Sequence, residues 1–568
     1  YVMNDLSAKF GTIFFISASN SGPGFRSLNH FGNSGAVVMV GANVSKKTLA
    51  EQYNLPGGAQ TQDENLLFFS SLGPSFTGEM KPNIIAPGAA ISAIPAAGGY
   101  MSQMNGTSMS SPLAAGAFAA VLGKVKNENT GLFENINKMR TYHSEGSTKA
   151  EITLLPYVYA MRDALQNAAI SQPHLTLAQQ GYGLIQAGRT ADLLRTYVQE
   201  INSGDRDYFE VVINGDKKTY DRKSLNTKKL QAFKLSLGID GERTKESLAN
   251  IITTGVDVEL ARVEVLSSNG EVEVITSDMQ KYFSIVEQGD DSNPLLVSHV
   301  TFNNRRTPQF FSRRNIANME IGKTYIAHYK INRKNVNITN ILDVVHRAYT
   351  LGETEFDLPA LSLNKTKSKL GLAKAQVAIA NNVFHRYQIK VNKHMNHLSV
   401  KLGINDGNSG RLYVQLYNPD GKEVEFVMAK SNSIEKEAIA KIKTATAKNG
   451  KVQTGLWELT VSSSSSTWLS SSNYDLLVEG HLFGAKKKSE KMTVGSELTI
   501  PVQLGSHELT AVKVLNLKQV VKNKVQVKTG HVSFQPLVLP PGFTGMVELN
   551  VLPNHDLYWG DVSPVLYT

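Results

Sequence analysis

The chain predicts an α/β head, a parallel sheet flanked by helices, followed by two or three all-β, sandwich-like domains. Three observations carry this. Over the first 190 or so residues short apolar runs alternate with helical patterns, the order that builds a parallel sheet. Beyond Gly204 the apolar period changes to two, as in Val256, Val258 and Leu260. Turn signals then separate alternating runs, Asn269-Gly270 and Asn418-Pro419-Asp420-Gly421 among them. A length of 568 residues suits three to four domains at roughly 150 residues each. The expected division is a head at 1–200 with a polar insertion at about 125–155, a β-rich domain at 201–365, a jelly-roll-like sandwich at 366–485 and a β-rich segment at 486–568.

In the head, Gly11–Ser17 (GTIFFIS) and Gly35–Gly41 (GAVVMVG) read as buried strands. Leu66–Ser70 (LLFFS) and Asn83–Ala86 (NIIA) read as two more, each closed by a Gly/Pro-rich loop. Ser110–Lys124 is a helix rich in Ala and Gly, a composition that allows close approach to a sheet. Leu155–Ala169 has the amphipathic pattern of a helix that Pro156 can begin. Further on, Val263–Val274 and Leu412–Phe426 read as hairpins, Ser462–Ser472 as a serine-rich loop, and Leu498–Leu504 and Glu508–Val527 as strands.

Apolar residues make up 41%, to which 45 glycines are added, so the chain is globular and neither disordered nor collagenous. The absence of cysteine excludes disulfides, zinc-thiolate sites and a cysteine nucleophile. It suits a reducing cytosol as well as an exported bacterial protein, and the reading leans to export. No apolar run approaches the ~18 residues of a membrane span. The net charge of +10 lies downstream of residue 123, because the first 123 residues carry five basic and five acidic side chains. Spread along strands, the excess reads as a solvated face and not as a nucleic-acid surface. Residue 1 is Tyr, with no initiator Met and no signal-peptide pattern, so the expectation is a processed or separated piece of a longer chain.

The chemistry centres on Asn105-Gly106-Thr107-Ser108-Met109-Ser110-Ser111-Pro112. Gly106 permits a tight strand-to-helix turn, which places Ser108 at a helix start, beside backbone N–H groups that can receive developing negative charge. Ser110 and Ser111 read as helix caps and Pro112 as a first-turn residue. Upstream, Ser17-Ala18-Ser19-Asn20-Ser21-Gly22-Pro23-Gly24 sets an Asn directly after a buried strand. Strand C-termini and helix N-termini gather on one edge of a parallel sheet, so Asn20 and Ser108 are expected to meet there. The loops Phe69–Pro74 (FSSLGP) and Lys81–Gly88 (KPNIIAPG) belong to the same edge.

These four blocks together, in this order, resemble the subtilisin-like serine peptidases. The resemblance places the nucleophile on Ser108 and the oxyanion asparagine on Asn20, and it implies that Ser17, Ala18 and Ser19 line the substrate; Asn105 and Thr107 read as supports of the turn, with Gly106 and Thr107 also candidates to contact the substrate. Met104–Pro112, Val40–Ser45 (VGANVS) and Gln180–Ala187 (QGYGLIQA), with the β-rich tail and His385-Arg386-Tyr387 opening one of its modules, are similar to the tripeptidyl peptidase II branch of that family. Two departures stand out. Where the family has Gly before its oxyanion Asn, this chain has Ser19. The family's histidine base and orienting aspartate precede the serine, yet neither a D-[ST]-G nor an H-G-T-H segment occurs. Of thirteen histidines only His30 lies upstream of Ser108, outside any base motif; His143 falls in the polar insertion.

The expectation is therefore an acyl-enzyme peptidase whose Asp and His come from an N-terminal fragment of the same precursor. The expected partners are a peptide or protein substrate, that fragment and, as an open alternative, further copies of the chain. Nucleic acid and a membrane are not expected. No cofactor and no metal is called for: Asn405-Asp406-Gly407-Asn408 reads as a turn before a calcium site, and Lys486-Lys487-Lys488 as a basic turn. The competing reading is a catalytically inactive subtilase-like scaffold, against which the retained Ser108 and Asn20 pair argues.

Overall fold

The computed structural model describes residues 2–33, 37–52, 62–75, 80–93, 101–129, 131–133 and 156–203 of the head. Downstream it describes 209–213, 232–239, 257–287, 301–302, 305–306, 309–320, 322–333, 336–346, 349–350, 372–380, 383–391, 395–404, 411–430, 438–443, 452–463, 471–485, 490–492, 498–506, 510–521, 524–527, 537–539, 543–551 and 560–567. The inserted segment around His143, the Asn405–Asn408 turn and the Lys486–Lys488 turn lie outside these residues.

In the head, helix α1 (Val2–Phe10) leads into strand β1 (Phe14–Ser17), which runs parallel to β2 (Val37–Ser45) with Phe14 opposite Val37 and Ser17 opposite Val40. After α2 (Lys46–Gln52), β3 (Glu64–Leu66) returns antiparallel along the end of β2, and β4 (Ile84–Pro87) runs parallel to β2, pairing Val40 with Ile84. The strand expected over Leu66–Ser70 thus ends at Leu66. Its phenylalanines leave the sheet, Phe68 stacking on Tyr413 of a downstream domain at 4.5 Å. Strands β5 (Ala89–Ala93) and β6 (Met101–Asn105) form a separate antiparallel hairpin. Helix α3 (Thr107–Glu128) follows, then α4 (Pro156–Ala168), α5 (Leu177–Gln180) and α6 (Ala187–Ser203).

Helix α3 covers the sheet with Ala114, Phe118, Val121 and Val125, which pack with Val38, Val40 and Ile84 and with buried residues of α4 and α6. Of the small residues expected to bring it close, Ala114 is buried against the sheet, but the helix glycines are not. A Cβ on Gly116 or Gly123 would meet nothing within 4 Å, whereas one on Gly88 would lie 2.8 Å from Ser110 Oγ and 2.5 Å from Ala42 Cβ. Close approach is thus set at the helix's first turn. Lys81 is buried under the sheet and donates to Val37 O at 2.7 Å and Asn83 Oδ1 at 2.9 Å, which offsets the cost of removing an ammonium from water.

Downstream, two sandwiches are defined by their cores. In the first, sheet residues Val263, Val265, Tyr325, Ala327 and Tyr329 pack on Phe283 of a facing four-stranded sheet. The expected hairpin forms: Val263 pairs with Ile275, and Gly270 takes φ +85, which the Asn-Gly turn supplies. In the second, a five-stranded sheet faces a six-stranded one across a core that includes Trp457, Leu459, Leu416, Leu398, Leu402 and Leu476. Its Leu412–Phe426 hairpin also forms, with Asn418 Oδ1 accepting from Asp420 and Lys422 N–H. The six-stranded sheet takes in Leu498–Ser506 and Phe543–Val551, so strands on both sides of residue 486 share it. Ser462 and Ser463, read as loop, are buried strand residues of Gly455–Ser463. Among the described residues no helix is long and apolar enough to cross a membrane.

Candidate active site

The edge carrying the predicted residues is assembled from the end of β1, the loop after it, the end of β6 and the start of α3. Past Ser17 the chain stays strand-like for one residue, Ala18 N–H donating to Val40 O at 2.9 Å. Ser19 then takes φ +89, in the half of backbone space that favours glycine. This turn swings Asn20 out of the sheet plane to an exposed position. The departure from the family at position 19 is thus a non-glycine residue doing a glycine's backbone work.

From the other side, Gly106 N–H donates to Gly88 O at 2.8 Å, and α3 begins at Thr107 with Gly106 as its N-cap. Thr107 is buried and reaches across: its N–H donates to Asn20 Oδ1 at 3.1 Å and its hydroxyl at 2.8 Å. Both bonds go to the carboxamide oxygen, so the carboxamide NH2 is turned to the opposite side. That group, Asn20 Nδ2, lies 3.4 Å from the point where a Cβ on Gly106 would stand, and Ser108 N lies 3.6 Å from the same point. Two N–H donors therefore flank one small space above a residue with no side chain. Ser108 is exposed beside it, and no described side chain hydrogen-bonds its hydroxyl.

Sequence and structure agree on the meeting of Asn20 and Ser108, and the structure adds how it is held. Thr107, read as a turn support and a candidate substrate contact, has its hydroxyl committed to Asn20. Gly106, itself buried, is the floor between the donors. Of the residues expected to form the wall, Ser17 and Ser19 are half-buried, while Ala18 has no exposed surface and packs with Val37 and Met39. The capping reading of Ser110 and Ser111 does not hold: Gly106 is the cap, and the buried Ser110 hydroxyl donates back to Gly106 O at 3.3 Å. Pro112 is the sixth helical residue, in the second turn, where its missing N–H leaves the Ser108 carbonyl without the usual helical donor. His30 is exposed in a short 3-10 turn at His30–Asn33. Among the described residues there is no cluster of metal-ligating side chains.

Neighbouring loops lock the Asn20 segment. Ser71 N–H donates to Ser19 O, Ser71 Oγ accepts from Ser21 N–H at 3.0 Å, and Gly22 N–H donates to Phe69 O. Residues 2–183 match the Subtilase family. The head is subtilisin-like. Pyrolysin of Pyrococcus furiosus is 29% identical over 204 residues, covering 34% of this chain and 13% of that protein. Tripeptidyl-peptidase 2 of Caenorhabditis elegans is 30% identical over 178 residues, covering 31% of this chain and 11% of that protein. The matched stretches are thus a small part of these relatives. A crystal structure of tripeptidyl peptidase 2 aligns with the whole chain at a TM-score of 0.54 and 14% identity, the chain spanning 47% of it. The shared fold accordingly extends beyond the subtilase head into the β domains.

Proposed function

We propose that the chain is the nucleophile-bearing part of a serine peptidase acting through an acyl-enzyme. Ser108 Oγ attacks the scissile carbonyl, and the carbonyl oxygen, becoming an oxyanion, accepts from Asn20 Nδ2 and Ser108 N–H. The amine product leaves with a proton, and water then releases the acid product. The observation that carries this reading is the placement of the two donors on either side of Gly106, fixed by Thr107 before any substrate arrives. Donors held in advance need no reorganisation as charge develops.

The proton is handled by an Asp and His pair from an N-terminal fragment of the same precursor packed against this head. Two surfaces support that arrangement. Strand β1, all of whose residues are only half-buried, pairs with β2 alone among the described strands, whereas eight of the nine residues of β2 are buried. On α1, Val2, Leu6 and Phe10 form a stripe at i, i+4 and i+8, exposed by 71%, 38% and 72%. A further strand and apolar surface fit both. The same machinery serves a tripeptidyl exopeptidase or an endopeptidase, which product analysis on long peptides separates.

Fluorophosphonate labelling of the complete protein tests the reading. A single adduct at Ser108, lost in Ser108→Ala, is expected. An unlabelled but folded protein would overturn it in favour of the inactive scaffold.

A further inference from the structure

The segment that follows Asn20 is gripped by side chains from residues some 360 to 430 positions downstream, on the five-stranded sheet of the second sandwich. Tyr417 OH donates to Ser21 O at 2.8 Å, and Gln415 Nε2 donates to Gly22 O at 2.5 Å. Arg386 Nη2 donates to Pro23 O, and both oxygens of the Glu458 carboxylate accept from Phe25 N–H at 3.1 and 3.2 Å. Arg386 and Glu458 pair with each other at 2.6 Å, and the guanidinium lies over the Phe25 ring at 4.0 Å. A Cβ on Gly24 would stand 2.6 Å from the Tyr417 ring, so the backbone passes against that ring without room for a side chain. Every one of these gripping side chains is at most 2% exposed.

Four of the five residues from Ser21 to Phe25 thus have a backbone group bound by this sandwich, and residues 22–25 are themselves buried. A loop needs no such grip merely to be covered: apolar contact would suffice, and buried charges and amides are costly unless their partners are in place. The grip begins at the residue after Asn20. We infer that Tyr417, Gln415, Arg386 and Glu458 are positioning residues for the oxyanion amide, so that the second sandwich is part of the catalytic apparatus although it touches no reacting atom. The inference rests on the proposed role of Asn20. Thr107 fixes the carboxamide oxygen from the head, while the sandwich fixes the main chain from which that side chain departs. A displacement of about 1 Å in such a donor costs up to roughly 10²-fold in rate.

The test uses the complete protein, with Tyr417→Phe as the mildest variant, Glu458→Gln as the stronger one, and both repeated in an Asn20→Ala background. Expected for Tyr417→Phe is a fall in kcat of roughly tenfold with KM within about twofold. In the Asn20→Ala background the same substitution should change kcat by less than about twofold, because the group being positioned is already gone. Equal losses in both backgrounds, or no loss in a folded Glu458→Gln protein, would overturn the inference. Amide exchange provides a readout independent of activity. The amides of Ser21, Gly22, Gly24 and Phe25 should exchange several-fold faster in Tyr417→Phe while residues 115–125 of α3 stay unchanged, and unaltered exchange at those four amides overturns the grip itself. If the parent protein takes no fluorophosphonate label, the peptidase reading fails while the exchange result still decides whether the sandwich holds this loop.

Discussion

Gly106→Ala separates catalysis from folding. The new methyl carbon would stand 3.4 Å from Asn20 Nδ2, 3.6 Å from Met109 Sδ and 3.6 Å from Ser108 N, all ordinary van der Waals contacts. Gly106 has φ 163, extended backbone open to any residue, so no strain follows. Replacing a glycine N-cap by alanine costs about 0.5–1 kcal/mol, a shift of a few degrees in melting temperature. The catalytic effect should be far larger. An oxygen accepting from both donors must sit about 2.9 Å from each, and the methyl would take the space between them. One such donor is worth roughly 10²–10³ in kcat, a magnitude established on subtilisin. The expected variant melts within a few degrees of its parent, keeps the Ser108 hydroxyl, and loses at least about 10²-fold in kcat on a chromogenic peptide amide and in its fluorophosphonate labelling rate. A normally folded Gly106→Ala protein retaining kcat within about twofold would show that the two donors do not share one oxyanion site.

Three further outcomes follow from geometry and titration. Ser19→Gly relieves a positive φ of 89° and should stabilise the protein by on the order of 1 kcal/mol with activity retained. Ser19→Val, branched at Cβ, should lower the melting temperature instead, and a neutral result would refute the strain argument. Gly73→Ala would drive a methyl to 1.8 Å from Lys81 O; since backbone lies on both sides of the clash, a loss of about 2 kcal/mol or more is expected in thermal melts. His385, buried beside Tyr474 OH at 2.7 Å, has its pKa pushed down to about 4 by burial. Below about pH 6.5 the unfolded chain takes up a proton that the folded one refuses, so stability should fall between about pH 6.5 and 4 by on the order of 3 kcal/mol. Denaturation midpoints across that window should flatten in His385→Gln, and an unchanged slope would exclude His385 as the source.

What was legible in the sequence was local. Strand β1, helix α4 and both hairpins announce themselves by apolar period, a proline start or a turn dipeptide, and Asn20 after a buried strand and Ser108 at a helix start are placed to meet, although β6 before Ser108 belongs to a separate hairpin and not to the parallel sheet. What was not legible depends on partners far along the chain. Phe68 looks like a strand residue because ring size and hydrophobicity suit either a strand or a domain contact, and only Tyr413 decides between them. Gly116 and Gly123 suggested close helix packing, but helical phase turns them away from the sheet. Thr107 gave no sign that its hydroxyl holds Asn20. Arg386 reads from the sequence only as part of the opening of a β-rich module, since nothing in a buried arginine's sequence neighbourhood reveals a glutamate 72 positions later.

Two carboxylates fasten the head to the rest of the molecule in the same way. Glu458 receives Phe25 N–H, and Glu264 receives Leu177 N–H at 3.0 and 3.2 Å. Burial opposes ionisation of Glu264, but His328, Arg262 and the Leu177 amide outweigh it and hold its pKa below the usual carboxylate value. The head is therefore not a transplantable cassette. Trimming the chain near residue 203 would strip acceptors from two of its loops, and fusing the head to a foreign scaffold would require that scaffold to bring an anion to both places.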